Sequence, residues 1–372
     1  PVSLIMTRSA ARHPDAALSR QPRRRPALAG VVGAFAPLLC CALAAVLGVG
    51  SAWWAIEHGV GFEHVDIGVW RAWPTAGEAN ADPYLRAQFA QSGEIALSAT
   101  EGVMLTARTD ESGRALLSTC VYRVAGRIPA AQWWTLTAYR DADRSLMKTP
   151  TGRTGFRKTR KLAAGRPRGR RDQARAAALR YAHRHRRKAG GRRDAEGGAG
   201  LVRIGQVIFF VVLTLVLAAI VHLGVVMAVP YTSPRDAWSR IGTMVRDEEV
   251  VVLPAAVPGE EILPLLDPNI VYAVCRFDVS EGPFAISATM PPAYWSISLQ
   301  TPRGRVFYAI DDEASVDGAL EIELRNADAM KVYQLERGEE IGQVLAVEAP
   351  SLTGYALMRG LVSRGTNRAA IE

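Results

Sequence analysis

Two long uncharged segments, each preceded by arginines, constrain this chain more than any other feature. Ala27 to Ile56 contains no charged residue and follows Arg20, Arg23, Arg24 and Arg25. Ile204 to Pro230 also lacks Asp, Glu, Lys and Arg, and it follows an arginine-rich run ending at Arg203. A helix crossing ~30 Å of hydrocarbon needs about 20 apolar residues, so both segments are predicted as transmembrane helices. Basic flanks stay on the cytoplasmic side, which starts both spans inside and ends both outside. A single chain leaves the first span outside yet has to begin the second inside, with no third apolar segment to carry it back. Either one charge preference gives way, or the chain joins two adjacent gene products.

A cleaved signal peptide over residues 6–52 is the alternative for the first segment, since Gly50 and Ala52 are small. The apolar stretch exceeds the ~7–15 residues of a signal core, which favours an uncleaved anchor. Trp53 and Trp54 at its outer end suit a membrane interface.

The net charge of +9 is a local property. Lys148 to Arg203 holds 19 Lys/Arg against three acids, an excess of 16, so the rest of the chain carries −7. Thr151 to Gly200 contains 14 Arg, 10 Ala and nine Gly, and only Phe156, Leu162, Leu179 and Tyr181 could join a core. So few apolar side chains cannot offset the entropy of ordering, and the segment is predicted to stay unpacked. Three readings stand beside one another. The segment is a basic linker facing anionic lipid, a nucleic-acid arm, or a stretch read out of frame in a GC-rich gene, where Arg, Ala, Gly and Pro codons abound. One Tyr and one Phe in fifty residues is poor aromatic interleaving, so nucleic acid is not the expected partner.

The resulting partition is a basic tail (1–26), a transmembrane helix (27–56), a β-rich body (57–147), the Arg/Ala/Gly-rich unstructured segment (148–203), a second transmembrane helix (204–230) and a second β-rich body (231–372). In the first body Asp82-Pro83 opens a helix that Gly93 closes. Alternating runs predict strands at 95–98, 103–108, 116–124 and 133–139. In the second, Ser233-Pro234 caps a helix reaching about Val245. Strands are predicted at 250–253, 271–279, 284–289, 295–299, 306–310, 320–324 and 344–347, with a hairpin turn at Pro302-Arg303-Gly304 and a closing helix at 352–362. The fold class is α+β, mainly β with some helix: two β-sandwich-like bodies, each preceded by a transmembrane helix.

The bodies share a pattern. Cys120-Val-Tyr122-Arg-Val124 parallels Cys275-Arg-Phe277-Asp-Val279, and Trp133-Trp134-Thr135-Leu136-Thr137 parallels Tyr294-Trp295-Ser296-Ile297-Ser298. Gly68-Val-Trp70-Arg-Ala-Trp73-Pro74, Asp82-Pro83-Tyr84, Glu101-Gly102 and the Trp133-Trp134 strand resemble Domain of Unknown Function 1214. Asp267-Pro268, the run Tyr272 to Asp278, Gly282-Pro283, Tyr294-Trp295-Ser296 and Val306-Phe307-Tyr308 resemble Domain of Unknown Function 1254. Both resemblances imply bacterial envelope proteins with bodies facing the periplasm from the inner membrane. Neither implies an activity, and no catalytic residue can be carried over.

Chemistry-bearing motifs are missing from the sequence. There is no Gly-x-Ser-x-Gly elbow, no His-Glu-x-x-His, no phosphate-cradling glycine loop and no zinc spacing among Cys40, Cys41, Cys120 and Cys275. No cofactor or metal is expected. Trp134 and Trp295 read as core centres, or else as a ligand platform, and Arg276 could line a groove with Asp278 because alternate strand residues share a face. The expected partners are the lipid bilayer and the two β bodies for each other. The function these features predict is a membrane-anchored envelope protein with a binding or structural role. The alternative is an envelope enzyme acting on a cell-surface component.

Overall fold

The computed structural model describes residues 27–59, 62–126, 131–148, 155–159, 198–246, 248–290, 293–314, 319–337, 344–362 and 368–371. The basic tail and most of the Arg-rich run lie outside them. In chain order the elements are α1 (Ala27–Glu57), β1 (Val65–Ile67), β2 (Trp70–Ala72), α2 (Pro83–Ser92), β3 (Leu105–Thr106), β4 (Trp133–Thr137), β5 (Gly155–Thr159) and α3 (Gly198–Thr232). There follow α4 (Ala237–Gly242), β6 (Val250–Val252), β7 (Ile270–Asp278), β8 (Phe284–Thr289), β9 (Trp295–Gln300), β10 (Val306–Asp311), β11 (Ala319–Arg325), α5 (Ala327–Arg337), β12 (Leu345–Glu348) and β13 (Thr353–Leu361). The class is α+β with the bodies built on sheets.

α1 and α3 are both long and apolar enough to cross a membrane. At 1.5 Å rise per residue they run about 46 and 52 Å. They pack side by side and point the same way. A Cβ on Gly48 would sit 2.7 Å from the Ala218 carbonyl and the Val221 side chain, Ser51 Oγ lies 2.8 Å from His222 Nδ1, and Ala52 and Ile56 pack with Val226. Cys40, Ala44, Gly48, Ala52 and Ile56 are buried at four-residue intervals. That spacing puts small side chains on one face and lets the backbones approach. The opposite faces expose Leu39, Val46, Leu47, Val212, Leu215 and Ile220.

The second body is a two-layer sandwich. A five-stranded antiparallel sheet in the order β10-β9-β13-β7-β6 faces a three-stranded sheet, β12-β11-β8. α5 makes the crossover that lets β12 run parallel to β11. Between the sheets Phe277, Ile297 and Leu299 meet Ile322, Leu324 and Val347. The other face of the large sheet is buried too, under Ile241, Leu253 and Leu263 from its own half and under Ile95 and Trp133 from the preceding one.

The first body is sparser than expected. Its three-stranded sheet β1-β2-β3 has strands of two or three residues, and β4 pairs only with β5. The strand expected over 116–124 is irregular, with Val121 and Val124 exposed. Among the described residues Ile95 and Trp133 of this body pack with the sandwich, and Tyr84 and Ala87 pack with the helix pair, while Val103, Leu117, Val121 and Val124 stay exposed.

Three further expectations are corrected. The Arg-rich segment contains β5 (Gly155–Thr159), whose Phe156 pairs in register with Leu136, so part of it is ordered. A β hairpin needs few apolar contacts once a partner strand is in place, which composition alone does not register. Leu352 to Val362 is not a helix. It is β13, the central strand, paired with nine residues of β7 and six of β9. Leu, Ala and Met suit a helix, but Gly354 decides the matter: a Cβ there would lie 2.4 Å from the Gln300 carbonyl oxygen and the Phe277 ring. Finally, the helix after Pro234 is only Ala237–Gly242, capped by Asp236, which accepts the Ser239 N–H at 2.8 Å. The Asp82 cap, the Gly93 stop with φ +78° and the turn at Gly304 with φ +73° form as the sequence predicts.

Trp295 is 4% exposed between the two sheets, whereas Trp134 is half-buried on the β4–β5 hairpin. Trp295→Ala should cost about 3–5 kcal/mol through lost burial and an unfilled cavity. Trp134→Ala should cost clearly less. Chemical denaturation of the two variants in mild detergent measures the difference, and equal losses would refute this account of the core.

Candidate functional site

β9 alternates two chemistries. Trp295, Ile297 and Leu299 enter the sandwich core, which turns Ser296, Ser298 and Gln300 to the opposite face. Register places Arg359 of β13 beside Ser296, Leu357 beside Ser298 and Tyr355 beside Gln300. That face therefore carries a buried polar strip, and a segment of the first half closes it. Glu101 lies over the strip with its side chain fully buried, and it pairs with Arg359, whose side chain is 7% exposed.

The Glu101 carboxylate is richly supplied with donors. Ser98 gives its backbone N–H and its hydroxyl, both at 3.2 Å, and Ser296 donates its hydroxyl at 3.2 Å. Arg359 also donates to Ser298 Oγ at 3.1 Å and to the Ala96 carbonyl at 3.3 Å. Tyr294 donates to the Glu101 backbone carbonyl at 2.8 Å, and Trp133 packs against Tyr294 with its ring tilted by 53° and the centroids 4.9 Å apart. Tyr355 extends the network by donating to Gln300 Oε1 at 2.8 Å.

A second set of contacts lies beside it. Glu94 pairs with Arg144, a residue whose backbone has φ +56° and whose carbonyl accepts the Leu265 N–H. Burial lowers the Arg144 pKa. Leu146 N–H donates to Glu261 at 2.6 Å, and Tyr139 OH donates to the Leu266 carbonyl at 3.2 Å.

This arrangement joins the two halves of the chain through buried polar contacts. Ser98 and Ser296 direct their hydroxyl protons at the Glu101 carboxylate, Ser298 Oγ accepts from Arg359 and Gln300, and the Glu101 side chain is fully buried. An open groove of about 400 Å³ does exist at Pro234, Ser239, Arg240 and Ile262. Its Arg240 donates to the backbone carbonyls of Arg235, Ile262 and Ser92, so that charge serves the fold. Among the described residues no three His, Cys, Asp or Glu cluster as metal ligands.

Trp134, Trp295 and Arg276 are not brought together. Trp295 is in the sandwich core and Trp134 is on the hairpin of the other half. Arg276 lies on the opposite face of the large sheet from Trp295, with its guanidinium 4.2 Å over the Trp238 ring. Sequence reasoning missed Glu101 and Arg359 as partners. The signal available was the Ser-x-Ser-x-Gln alternation at 296–300, which marks a strand face needing polar company.

Similarity to known proteins is partial. Residues 101–175, beginning at the buried glutamate, match the family described as "Protein of unknown function (DUF1214)". No curated protein matches the chain. Among solved structures, an uncharacterized protein from Burkholderia cenocepacia is 12% identical over 41% of this chain, with a TM-score of 0.26. The VPA0106 protein from Vibrio parahaemolyticus is 11% identical over 34%, with a TM-score of 0.24. The chain spans only 39% and 28% of those two proteins.

Removing one member of a buried ion pair leaves an uncompensated charge and costs about 3–5 kcal/mol, while replacing both by neutral groups costs far less. Arg359→Met should therefore destabilise much more than the double variant Glu101→Gln/Arg359→Met in chemical denaturation. Additive losses would show that the pair is not coupled.

Burial pushes the phenols of Tyr272 and Tyr294 up to about 12 and raises Tyr139 and Tyr355 as well. A raised phenol favours the neutral folded form, so its stabilisation is complete below the unfolded value of ~10 and is lost as pH rises toward 12. Stability should fall across pH 10 to 12, and Tyr294→Phe should flatten that fall. An unchanged slope in the variant would contradict it.

Proposed function

We propose that this chain is a membrane-anchored protein of the bacterial envelope whose bodies face the periplasm and whose role is structural or binding. The observation that carries the reading is the helix pair. α1 and α3 run the same way, expose apolar side chains around their outer surface, and end at the same side as the bodies. Arginines precede both helices, which supports cytoplasmic N-terminal ends. Aromatic groups gather at the other end. Trp53 and Trp54 are exposed there, and Arg303 of the β9–β10 turn stacks 4.0 Å over the ring of Tyr231.

The second half is read as the 1254-type body on the motifs quoted above, and the segment from Glu57 to Met147 as a partial 1214-type body. A binding or structural role is favoured over catalysis because the buried polar strip is consumed by contacts between the two halves. The bilayer is the first partner.

Cys120 is exposed on the first body, and Cys275 is buried. In spheroplasts expressing the full chain, a membrane-impermeant maleimide should label the protein without lysis, and Cys120→Ser should abolish the label. Labelling of Cys120 only after lysis would overturn the periplasmic orientation.

A further inference from the structure

We propose that the half ending near Thr159 and the half beginning near Gly198 are docking partners built to assemble as two separate single-span polypeptides. The inference rests on the membrane reading above and adds the partner. If α1 and α3 cross a bilayer in the same direction, Thr159 lies on the side of the bodies and Gly198 lies across the hydrocarbon. The 38 residues between them would have to carry the chain back. Any 20 consecutive residues in that stretch hold at least six Lys or Arg. Charged side chains and unpaired backbone groups are both strongly disfavoured in hydrocarbon, so the covalent connection opposes the geometry that the folded parts adopt.

The contacts between the halves need no such connection. In the helix pair, Gly48 admits the Ala218 carbonyl and the Val221 side chain, and His222 holds Ser51 at 2.8 Å through one ring nitrogen and Tyr84 OH at 2.8 Å through the other. Above it, Ser233 donates to the Ala90 carbonyl at 2.8 Å, and Glu101 meets Arg359 in the buried strip. Among the described residues, the buried charge on each half is paired with the buried charge on the other, which is the mark of an obligate partner, since either half alone would lose that pairing.

The test keeps every residue. The sequence is interrupted once, between Gly190 and Gly191, and both pieces are expressed in one cell with an affinity tag on the second. Both pieces should resist carbonate extraction and co-purify from mild detergent in equal amounts. Gly48→Leu should reduce the recovered first piece at least about fivefold, because that position meets α3. Gly50→Leu should leave recovery unchanged, because nothing lies within 4 Å of that position. His222→Leu, on the other piece, should also reduce recovery, which guards against poor insertion of the Gly48 variant. Membrane-inserted pieces that purify apart, or equal effects of the two glycine variants, would overturn the inference. Release of either piece by carbonate would instead overturn the membrane reading on which it rests.

Discussion

The buried pair of Glu101 and Arg359 sets the terms for the rest of the structure. Arg359 sits on β13, the strand at the centre of the large sheet, with neighbours on both sides. A guanidinium there is tolerable only if a carboxylate and further acceptors reach it, because desolvating an unpaired charge outweighs what a well-packed sheet returns. Glu101, Ser298 and the Ala96 carbonyl meet that need. Two of the three come from the other half of the chain. The sandwich is thus completed by a segment that precedes its central strand by more than two hundred residues, and Ile95 of that segment packs against the sandwich in turn.

A similar dependence holds at the helices. Ala52, Ile56 and Val226 close on Ala87 of α2, and α2 is fixed by the Asp82 cap, which also accepts the Phe62 N–H at 2.6 Å. On the membrane reading, lipid supplies no hydrophobic drive between helices, so close approach at small residues and the polar link through His222 hold the pair. The bodies and the helices then form one continuous assembly. On that same reading the arginine-rich sequence between the halves is poorly suited to cross hydrocarbon.

Local chemistry determined much of this protein. The two apolar helices follow from length and composition, α2 from Asp82-Pro83 and Gly93, and β7 to β10 from alternation between turn residues. None of these needs knowledge of a distant partner. The elements that pattern leaves unread are those whose reason lies elsewhere in the chain. β13 looks helical until Phe277 and Gln300 press on Gly354. β5 looks too basic to order until β4 offers a ladder, and α5 appears because β11 and β12 need a crossover. The role of Glu101 and Arg359 was decided only by the tertiary structure. The two side chains are 258 positions apart, and a charge becomes a clamp only when folding removes the water around it.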